Sequence, residues 1–122
     1  MILCDTNILI ELYKGNASIV EELRKIGSKQ IAISSITQAE LYYGALNKQE
    51  LQRIKKHLNQ LKIISINLET SDLLIQLMEN YALSHKLAIP DALIAATALA
   101  NNLELYTLNQ KDFRFISNLK LY

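Results

Sequence analysis

The sequence predicts an α/β domain in which a mostly parallel sheet is flanked by helices. Short apolar stretches alternate along the chain with longer stretches of helical period, and this alternation is typical of parallel sheets. Half of the 122 residues are hydrophobic, and the chain contains only three glycines and one proline. That composition favours one buried core without long linkers, so we expect a single domain over residues 1–122.

Short apolar stretches predict the strands. The first stands at the start of the chain and is followed at once by Asp5. Each stretch is a few residues long and largely apolar, a pattern that indicates a buried strand. The predicted strands are residues 2–4, 31–34, 62–66 and 103–107, with a short fifth strand over residues 119–122.

Other stretches predict helices because their apolar residues recur at helical spacing. In one of them, Ile19, Val20, Leu23 and Ile26 recur among charged residues, and Gly15 separates it from the preceding helix. The last helix is rich in alanine and apolar on nearly all sides, so we expect it to be central. The predicted helices are residues 8–13 (opened by Thr6 and Asn7), 17–28, 37–46, 49–61, 70–85 and 90–100.

The cysteine count and the lack of targeting signals bear on disulfide bonds and on the location of the protein in the cell. The single cysteine, Cys4, lies within an apolar run and cannot form an internal disulfide, so we expect it to be buried. The sequence starts without a basic leader, and no apolar run approaches the roughly 20 residues that span a bilayer. We therefore expect a cytoplasmic protein without membrane association.

The net charge of +1 is well below that of a dedicated duplex-binding protein. It does not exclude nucleic acid as a partner, because an acidic site lowers the total while basic residues lie elsewhere. One concentration of basic residues is visible, although the solvated face of a helix explains it more simply. Its members are Lys48, Arg53, Lys55, Lys56, His57 and Lys62.

Acidic residues follow the predicted strands at the edge where a parallel sheet binds its ligands. Asp5 follows the first strand, Glu40 the second and Asp112 the fourth. Asp91 begins the alanine-rich helix that precedes the fourth strand. Because ligands of such sheets bind beyond the carboxyl ends of the strands, we expect these carboxylates to converge.

Asp5 and Glu40 each have a local structural explanation as well. Aspartate is a favoured helix N-cap, and Asp5 stands just before a predicted helix. Thr37, with Glu40 three residues later, matches a capping box in which the threonine is the N-cap. Either explanation accounts for its residues without any chemistry, and only their convergence at one edge favours a functional site.

The later polar residues also have structural alternatives. Asp91 follows Pro90 in a first helical turn, where an acid offsets the helix dipole. Asn109 and Asp112 lie in a turn-like stretch that ordinary turn chemistry explains. Against this, Asp91 heads the most apolar helix of the chain, where an acid is expected to be paired or to bind a metal.

Several carboxylates in one place are the ligand set of a hard divalent cation. Such a cation lowers the pKa of bound water and stabilises charge on the attacking and leaving oxygens of a phosphodiester. Without the cation, the acids repel one another. Asp5, Glu40 and Asp91 therefore predict metal-dependent phosphodiester cleavage.

Other chemistries lack the residues that they need. His57 and His85 do not have zinc-ligand spacing, and there is neither a glycine-rich phosphate loop nor a Gly-x-Ser-x-Gly elbow. A phosphoacceptor receiver needs an aspartate after its third strand, where this chain has Asn67 and Leu68. A haloacid-dehalogenase-like phosphohydrolase needs Asp-x-Asp after the first strand, and here the second position is Asn7.

Four short motifs are spread along the whole chain. They are Asp5-Thr6-Asn7, Thr37-x-x-Glu40, Pro-Asp-Ala-Leu-Ile-Ala at residues 90–95 and Thr-Leu-Asn-Gln-Lys-Asp-Phe at residues 107–113. In this order and spacing, the sequence resembles the PIN-domain ribonucleases. More narrowly, it resembles the VapC-type toxins of type II toxin–antitoxin systems.

The resemblance implies a three-layer α/β/α sandwich with a small, mostly parallel sheet, and an endoribonuclease that depends on Mg²⁺ or Mn²⁺. Asp5 and Asp91 look like the direct metal ligands, and Glu40 looks like the third acid. Asp112 is favoured as the fourth, although Asn109 stands where many relatives carry aspartate. The residues implied as hydrogen-bonding support are Asn7, Thr37 and Asn109.

The resemblance also implies partners: an RNA substrate, a second copy of the chain in a homodimer, and a cognate antitoxin that covers the acidic groove. Tyr13, Tyr42 and Tyr43 are candidates for that interface, with core packing as the simpler explanation of each. A catalytically degenerate PIN-like module that binds RNA or protein remains the alternative. Asn109 is the feature that supports this alternative.

Overall fold

The computed structural model describes all residues, 1–122, and confirms the predicted α/β class. Strands β1 to β4 are Ile2–Cys4, Ile31–Ser34, Lys62–Ile64 and Glu104–Tyr106. Helices α1 to α6 are Thr6–Tyr13, Ala17–Ile26, Ser35–Tyr43, Lys48–Leu58, Leu68–His85 and Ile89–Ala100. Short 3₁₀ helices cover Ser28–Gln30 and Gln110–Asp112.

The four strands form one parallel sheet in the order β3-β2-β1-β4. β1 is interior: Leu3 pairs with Ala32 of β2 on one side and with Leu105 of β4 on the other. At the far edge, Ser34 of β2 pairs with Ile64 of β3. Because parallel strands point their carboxyl ends the same way, the segments that follow all four strands open at one edge of the sheet.

The side chains of β1 divide between two cores, since successive strand residues face opposite sides of a sheet. Leu3 packs in the core that contains the buried residues of α5 and α6, together with Phe113. Cys4 packs in the core that contains the buried residues of α1, α2, α3 and α4. The sheet is therefore covered on both faces, which confirms the three-layer arrangement and the expected burial of Cys4.

Helix α6 is central, as its composition predicts. Six of its residues are buried. Four of these are alanines with no exposed surface, namely Ala92, Ala95, Ala96 and Ala98. Their small side chains let α5 pack closely along α6, and Leu77 of α5 lies in the same core. Asp91 is thereby held on a rigid, buried element.

Several predicted boundaries need correction. Helix α2 ends at Ile26 rather than at residue 28, because Gly27 has a φ of 84°. Such a backbone conformation is open to glycine and ends a helix. The predicted fifth strand is only an isolated bridge between Leu105 and Leu121. No helix combines the length and the apolar content that crossing a membrane requires.

Candidate active site

Asp5 lies at the carboxyl end of β1, and only 6% of its surface is exposed. Its backbone N–H donates to the carbonyl of Tyr106 at 2.9 Å, which continues the pairing of β1 with β4. Its Oδ1 accepts the N–H of Thr6 at 2.7 Å, and its Oδ2 accepts Oγ1 of Thr107 at 2.8 Å. Asp5 is thus the N-cap of α1, as its position before a predicted helix indicates. Its carboxylate also accepts a hydrogen bond from Thr107, near the other end of the sequence.

Burial is the main cause that raises the pKa of Asp5 above its usual value. The hydrogen bonds from Thr107 and Thr6 oppose that shift, while the charges of Glu40 and Asp112 add to it. A buried carboxylate repelled by two neighbouring acids is stabilised by a cation. Asp5 therefore meets the electrostatic requirement for a metal ligand.

Glu40 lies within α3 and not at its N-terminus, so the capping-box explanation is wrong. Ser34 is the N-cap, and its Oγ accepts the N–H of Thr37 at 3.2 Å. Glu40 is half-buried, and its Oε1 accepts a hydrogen bond from Oγ1 of Thr6 at 2.7 Å. Its side chain thus extends to Thr6 of α1, the residue after Asp5, and does not cap its own helix.

Asp91 is the third residue of α6 and lies in its first turn. Its position at the helix N-terminus favours the charged form. Nevertheless its pKa is raised to about 6, first by burial and then by the charges of Asp5, Asp112 and Glu40. Burial and repulsion therefore outweigh the helix dipole, and the dipole alone does not account for this acid.

The segment after β4 supplies Asp112, which is half-buried in the second 3₁₀ helix. Its charge raises the pKa of both Asp5 and Asp91. Asn109 is exposed, and its backbone makes its contacts here: its N–H donates to Oγ1 of Thr107 at 3.1 Å, and its carbonyl accepts the N–H of Asp112 at 2.9 Å. Of these two residues, Asp112 is the one whose charge acts on the other acids.

Asn7 and Thr37, both predicted to support the site, each lie one contact away from an acid. Nδ2 of Asn7 donates to Oγ1 of Thr107 at 3.5 Å, and its Oδ1 accepts the N–H of Leu108 at 3.4 Å. Oγ1 of Thr37 is 3.0 Å from Oγ1 of Thr6. Asn7 thereby ties α1 to the segment after β4, and Thr37 reaches Glu40 through Thr6.

Sequence reasoning missed three hydroxyl residues that organise the site: Thr6, Thr107 and Ser34. Thr107 binds Asp5, Thr6 binds Glu40, and Ser34 binds Thr37. One signal could have found Thr107 and Ser34, since each stands at the carboxyl end of a strand, as Asp5 does. Thr6 stands within the motif of Asp5 itself.

The donor set fits a hard cation, because every candidate ligand is a carboxylate. The charges of Glu40 and Asp112 raise the pKa of both Asp5 and Asp91, and the charge of Asp5 raises the pKa of Asp91 as well. No three His, Cys, Asp or Glu side chains are grouped so that they could hold a metal ion as they lie. Without a cation, repulsion between like charges keeps carboxylates apart, so a bound cation would have to draw them together.

A groove of about 800 Å³ lies between α1, α3 and α4. Its apolar lining includes Ile10, Leu41 and Ile54, and Glu40 forms part of its wall. Tyr13 crosses the groove region to bind Nδ1 of His57 at 2.8 Å through its hydroxyl. Among the other tyrosines considered, Tyr42 packs against a core and Tyr43 is 94% exposed.

Comparison with known proteins identifies the family to which this fold belongs. The sequence profile of the PIN domain matches residues 2–118. The chain is similar to a toxin–antitoxin complex from Klebsiella pneumoniae, with 38% identity, coverage of 98% of this chain and 95% of that chain, and a TM-score of 0.84. It is also similar to VapBC2 from Rickettsia felis bound to a DNA fragment from their promoter, with 32% identity, coverage of 100% and 98%, and a TM-score of 0.84.

A third similar structure is VapBC-1 from nontypeable Haemophilus influenzae, with 27% identity, coverage of 100% of this chain and 97% of that chain, and a TM-score of 0.83. No curated protein matches the chain. The profile match and the relatives above 30% identity each extend over nearly the whole sequence. The resemblance expected from the four motifs is therefore confirmed: the chain belongs to the PIN-domain family and is a VapC-type member of it.

Proposed function

We propose that the protein is a metal-dependent endoribonuclease toxin that hydrolyses RNA phosphodiester bonds and is neutralised by a cognate antitoxin. VapC-type proteins are generally nucleases, and PIN nucleases generally use divalent metals. The observation that carries the proposal is that acids from distant segments of the chain act on Asp5 and Asp91. Thr6 holds Glu40 beside Asp5, and the charges of Glu40 and Asp112 raise the pKa of both Asp5 and Asp91.

The acids are proposed to divide the work between them. Asp5 and Asp91 would hold Mg²⁺ or Mn²⁺ directly. Bound there, the ion would acidify a water and stabilise charge on the phosphate oxygens. Glu40, held by the hydroxyl of Thr6, orients the attacking water and accepts its proton. Asp112 contributes the fourth negative charge.

Neutral polar residues are proposed to hold these acids without adding charge. Asn7 links α1 to the segment after β4, and Thr37 supports Glu40 through Thr6. The backbone N–H of Asn109 supports Thr107, which in turn binds Asp5. Preorganisation of this kind lets a site act without rearranging during the reaction.

The test is cleavage of structured RNAs by the purified protein in Mg²⁺ or Mn²⁺, with and without EDTA. We expect Asp5→Asn and Asp91→Asn each to abolish cleavage, since each removes a charged metal ligand. Asp72→Asn is the matched control, because Asp72 is an exposed acid on α5. Equal cleavage by the wild type and the two site variants would remove the proposal.

We also propose that the groove between α1, α3 and α4 binds the antitoxin. Similar solved structures are toxin–antitoxin complexes. The apolar lining suits an amphipathic segment, and Glu40 in the wall would place that segment against the acids. We expect Leu46→Lys, on the exposed rim, to weaken binding of the antitoxin encoded beside this gene at least tenfold. The equally exposed Leu83→Lys should bind as the wild type does.

The site of action and the assembly complete the proposal: the toxin acts in the cytoplasm as a homodimer. Leu68 and Ile75 support self-association, because they are exposed and lie seven residues apart on one side of α5. Sedimentation velocity measures the assembly directly. A monomer at concentrations of tens of micromolar, with the fold intact, would contradict the dimer and leave the nuclease proposal standing.

One observation favours a second candidate, a catalytically degenerate module that binds RNA or protein. The acids are not already grouped to hold a metal ion. Titration calorimetry with Mn²⁺ decides between the two. Binding that disappears in Asp5→Asn favours the nuclease, whereas a folded chain that takes up no Mn²⁺ favours the degenerate module.

A further inference from the structure

Thr6 contacts two of the acids at once. Its backbone N–H donates to Oδ1 of Asp5 at 2.7 Å, and its Oγ1 lies 2.7 Å from Oε1 of Glu40. Asp5 ends a strand and Glu40 lies on α3, 35 residues later, so the backbone alone does not fix the separation of their carboxylates. Thr6 joins them through a single residue at the start of α1.

The direction of the hydroxyl hydrogen bonds follows from the number of protons. Oγ1 of Thr6 also lies 3.0 Å from Oγ1 of Thr37, but a threonine hydroxyl has only one proton and a carboxylate only accepts. Thr6 therefore donates to Glu40 and accepts from Thr37. Oγ of Ser34, 3.4 Å from Oγ1 of Thr37, extends the chain of hydroxyls to the end of β2.

The far end of this chain of hydroxyls is rigid. Ser34 and Thr37 have no exposed surface, and Oγ of Ser34 also accepts the N–H of Thr37. Buried hydroxyls joined in sequence are fixed by one another and by the backbone. Glu40, in contrast, has a long side chain, and Thr6 is its only side-chain hydrogen-bond partner within the chain. Without Thr6, its carboxylate would lose that anchor.

We propose that Thr6 is a positioning residue of this site, holding the carboxylates of Asp5 and Glu40 at a fixed separation through its N–H and its hydroxyl. The inference rests on the proposed nuclease function, in which Glu40 must meet the attacking water in one geometry. Misplacement of a reacting group by about an ångström lowers turnover about 100-fold. Because the proposed role of Thr6 is to place Glu40 for the reaction and not to bind RNA, the loss should fall on kcat and leave KM nearly unchanged.

Three substitutions separate the hydroxyl from the shape of the side chain. Thr6→Val keeps the shape and removes the hydroxyl, whereas Thr6→Ser keeps the hydroxyl and removes the methyl group. Thr97→Val is the matched control, since Thr97 is a buried threonine of α6 whose hydroxyl binds the carbonyl of Leu93. Thr6→Ala replaces Thr6→Val if valine disturbs the start of α1, as judged by circular dichroism.

The experiment measures kcat and KM for RNA cleavage, together with the carbon-13 NMR signal of the Glu40 carboxylate in the metal-free protein. The signal is assigned by its absence in Glu40→Gln. We expect Thr6→Val to lower kcat about 10- to 100-fold and to move the signal. We expect Thr6→Ser and Thr97→Val to stay within a few-fold of wild-type kcat and to leave the signal in place.

Two outcomes would overturn the inference: wild-type turnover in Thr6→Val, or equal losses in Thr6→Val and Thr6→Ser, which would assign the effect to the methyl group. If the wild type itself cleaves no RNA, the proposed nuclease function fails separately. The NMR signal then decides on Thr6 alone. A signal that does not move in Thr6→Val overturns the positioning role, and one that moves supports it.

Discussion

Oγ1 of Thr107 donates a hydrogen bond of 2.8 Å to Oδ2 of Asp5, across 102 positions of sequence. The same hydroxyl oxygen accepts the backbone N–H of Asn109 at 3.1 Å and lies 3.5 Å from Nδ2 of Asn7. Contacts with Asn109 and Asn7 therefore hold the Thr107 hydroxyl where it donates to Asp5. This contact joins the end of β1 to the segment after β4.

Removal of that hydroxyl should weaken the fold and change the titration of Asp5. We expect Thr107→Val to lower the free energy of unfolding by about 1–3 kcal/mol, because a buried acceptor loses its partner. The pKa of Asp5 should rise further, since the Thr107 hydrogen bond lowers it. Urea unfolding and carboxylate NMR measure the two effects. Thr107→Ser should retain both wild-type values, and a loss of similar size there would assign the effect to packing.

The raised pKa of Asp91 predicts how stability depends on pH. The pKa of Asp91 is about 6 in the folded chain, whereas the ordinary pKa of an aspartate, 3.8, applies in the unfolded state. Between these values the folded state holds more protons than the unfolded state, so this group's contribution to stability falls as pH rises. Asp91→Asn has no carboxyl group at this position, so its stability should not fall with rising pH for this reason.

In EDTA, Asp91→Asn should match the wild type near pH 4 and exceed it by about 1–2 kcal/mol above pH 6, after allowance for solvent screening. Urea midpoints from pH 4 to pH 7 measure this difference. Asp72→Asn, which changes an exposed acid, should follow the wild type throughout. A variant that is less stable than the wild type at pH 7 would contradict a pKa of Asp91 raised by burial and by the neighbouring acids.

Metal binding should reverse this repulsion. We expect Mn²⁺ or Mg²⁺ at 100 times its dissociation constant to stabilise the wild type by about 2.7 kcal/mol, and EDTA to abolish the gain. At pH 6, binding should also release protons from Asp91, whose pKa is about 6. Calorimetry in two buffers of different ionisation enthalpy counts those protons. The same heat in both buffers would contradict a role for Asp91 as a ligand.

The fourth acidic position should be filled by Asp112 and not by Asn109. The charge of Asp112 raises the pKa of Asp5 and Asp91, while the side chain of Asn109 is exposed. We therefore expect Asp112→Asn to lower cleavage about 10- to 100-fold and Asn109→Ala to lower it only a few-fold. The reverse order of effects would assign the fourth position to residue 109.

The alternation of strands and helices, and the position of Asp5 after a strand, could be predicted from local pattern. The length of β3 could not, because it depends on a neighbour. Ser34 is the last residue of β2 and pairs with Ile64, so residues 65 and 66 have no strand to pair with once the chain turns into α3. An apolar run shows where a strand begins better than where pairing ends.

The sequence pattern around Glu40 is ambiguous. Thr37 and Glu40 match a capping box, yet α3 begins before Thr37. Ser34 is the N-cap, and its Oγ accepts the N–H of Thr37. The true partner of Glu40 is Thr6, 34 residues earlier. Contacts between Thr6 and Glu40, or between Thr107 and Asp5, depend on tertiary packing, and no spacing rule within one element contains them.

The interior place of β1 has a consequence for the making of the protein. Strand β1 leaves the ribosome well before β4, with which it pairs. A growing chain lacks Asp112 and the Thr107 partner of Asp5 until that segment emerges, and such distant pairing is slow to form. An unfinished chain therefore carries an incomplete acid cluster, and under the proposed function it would not cleave RNA before β4 and the segment after it have emerged.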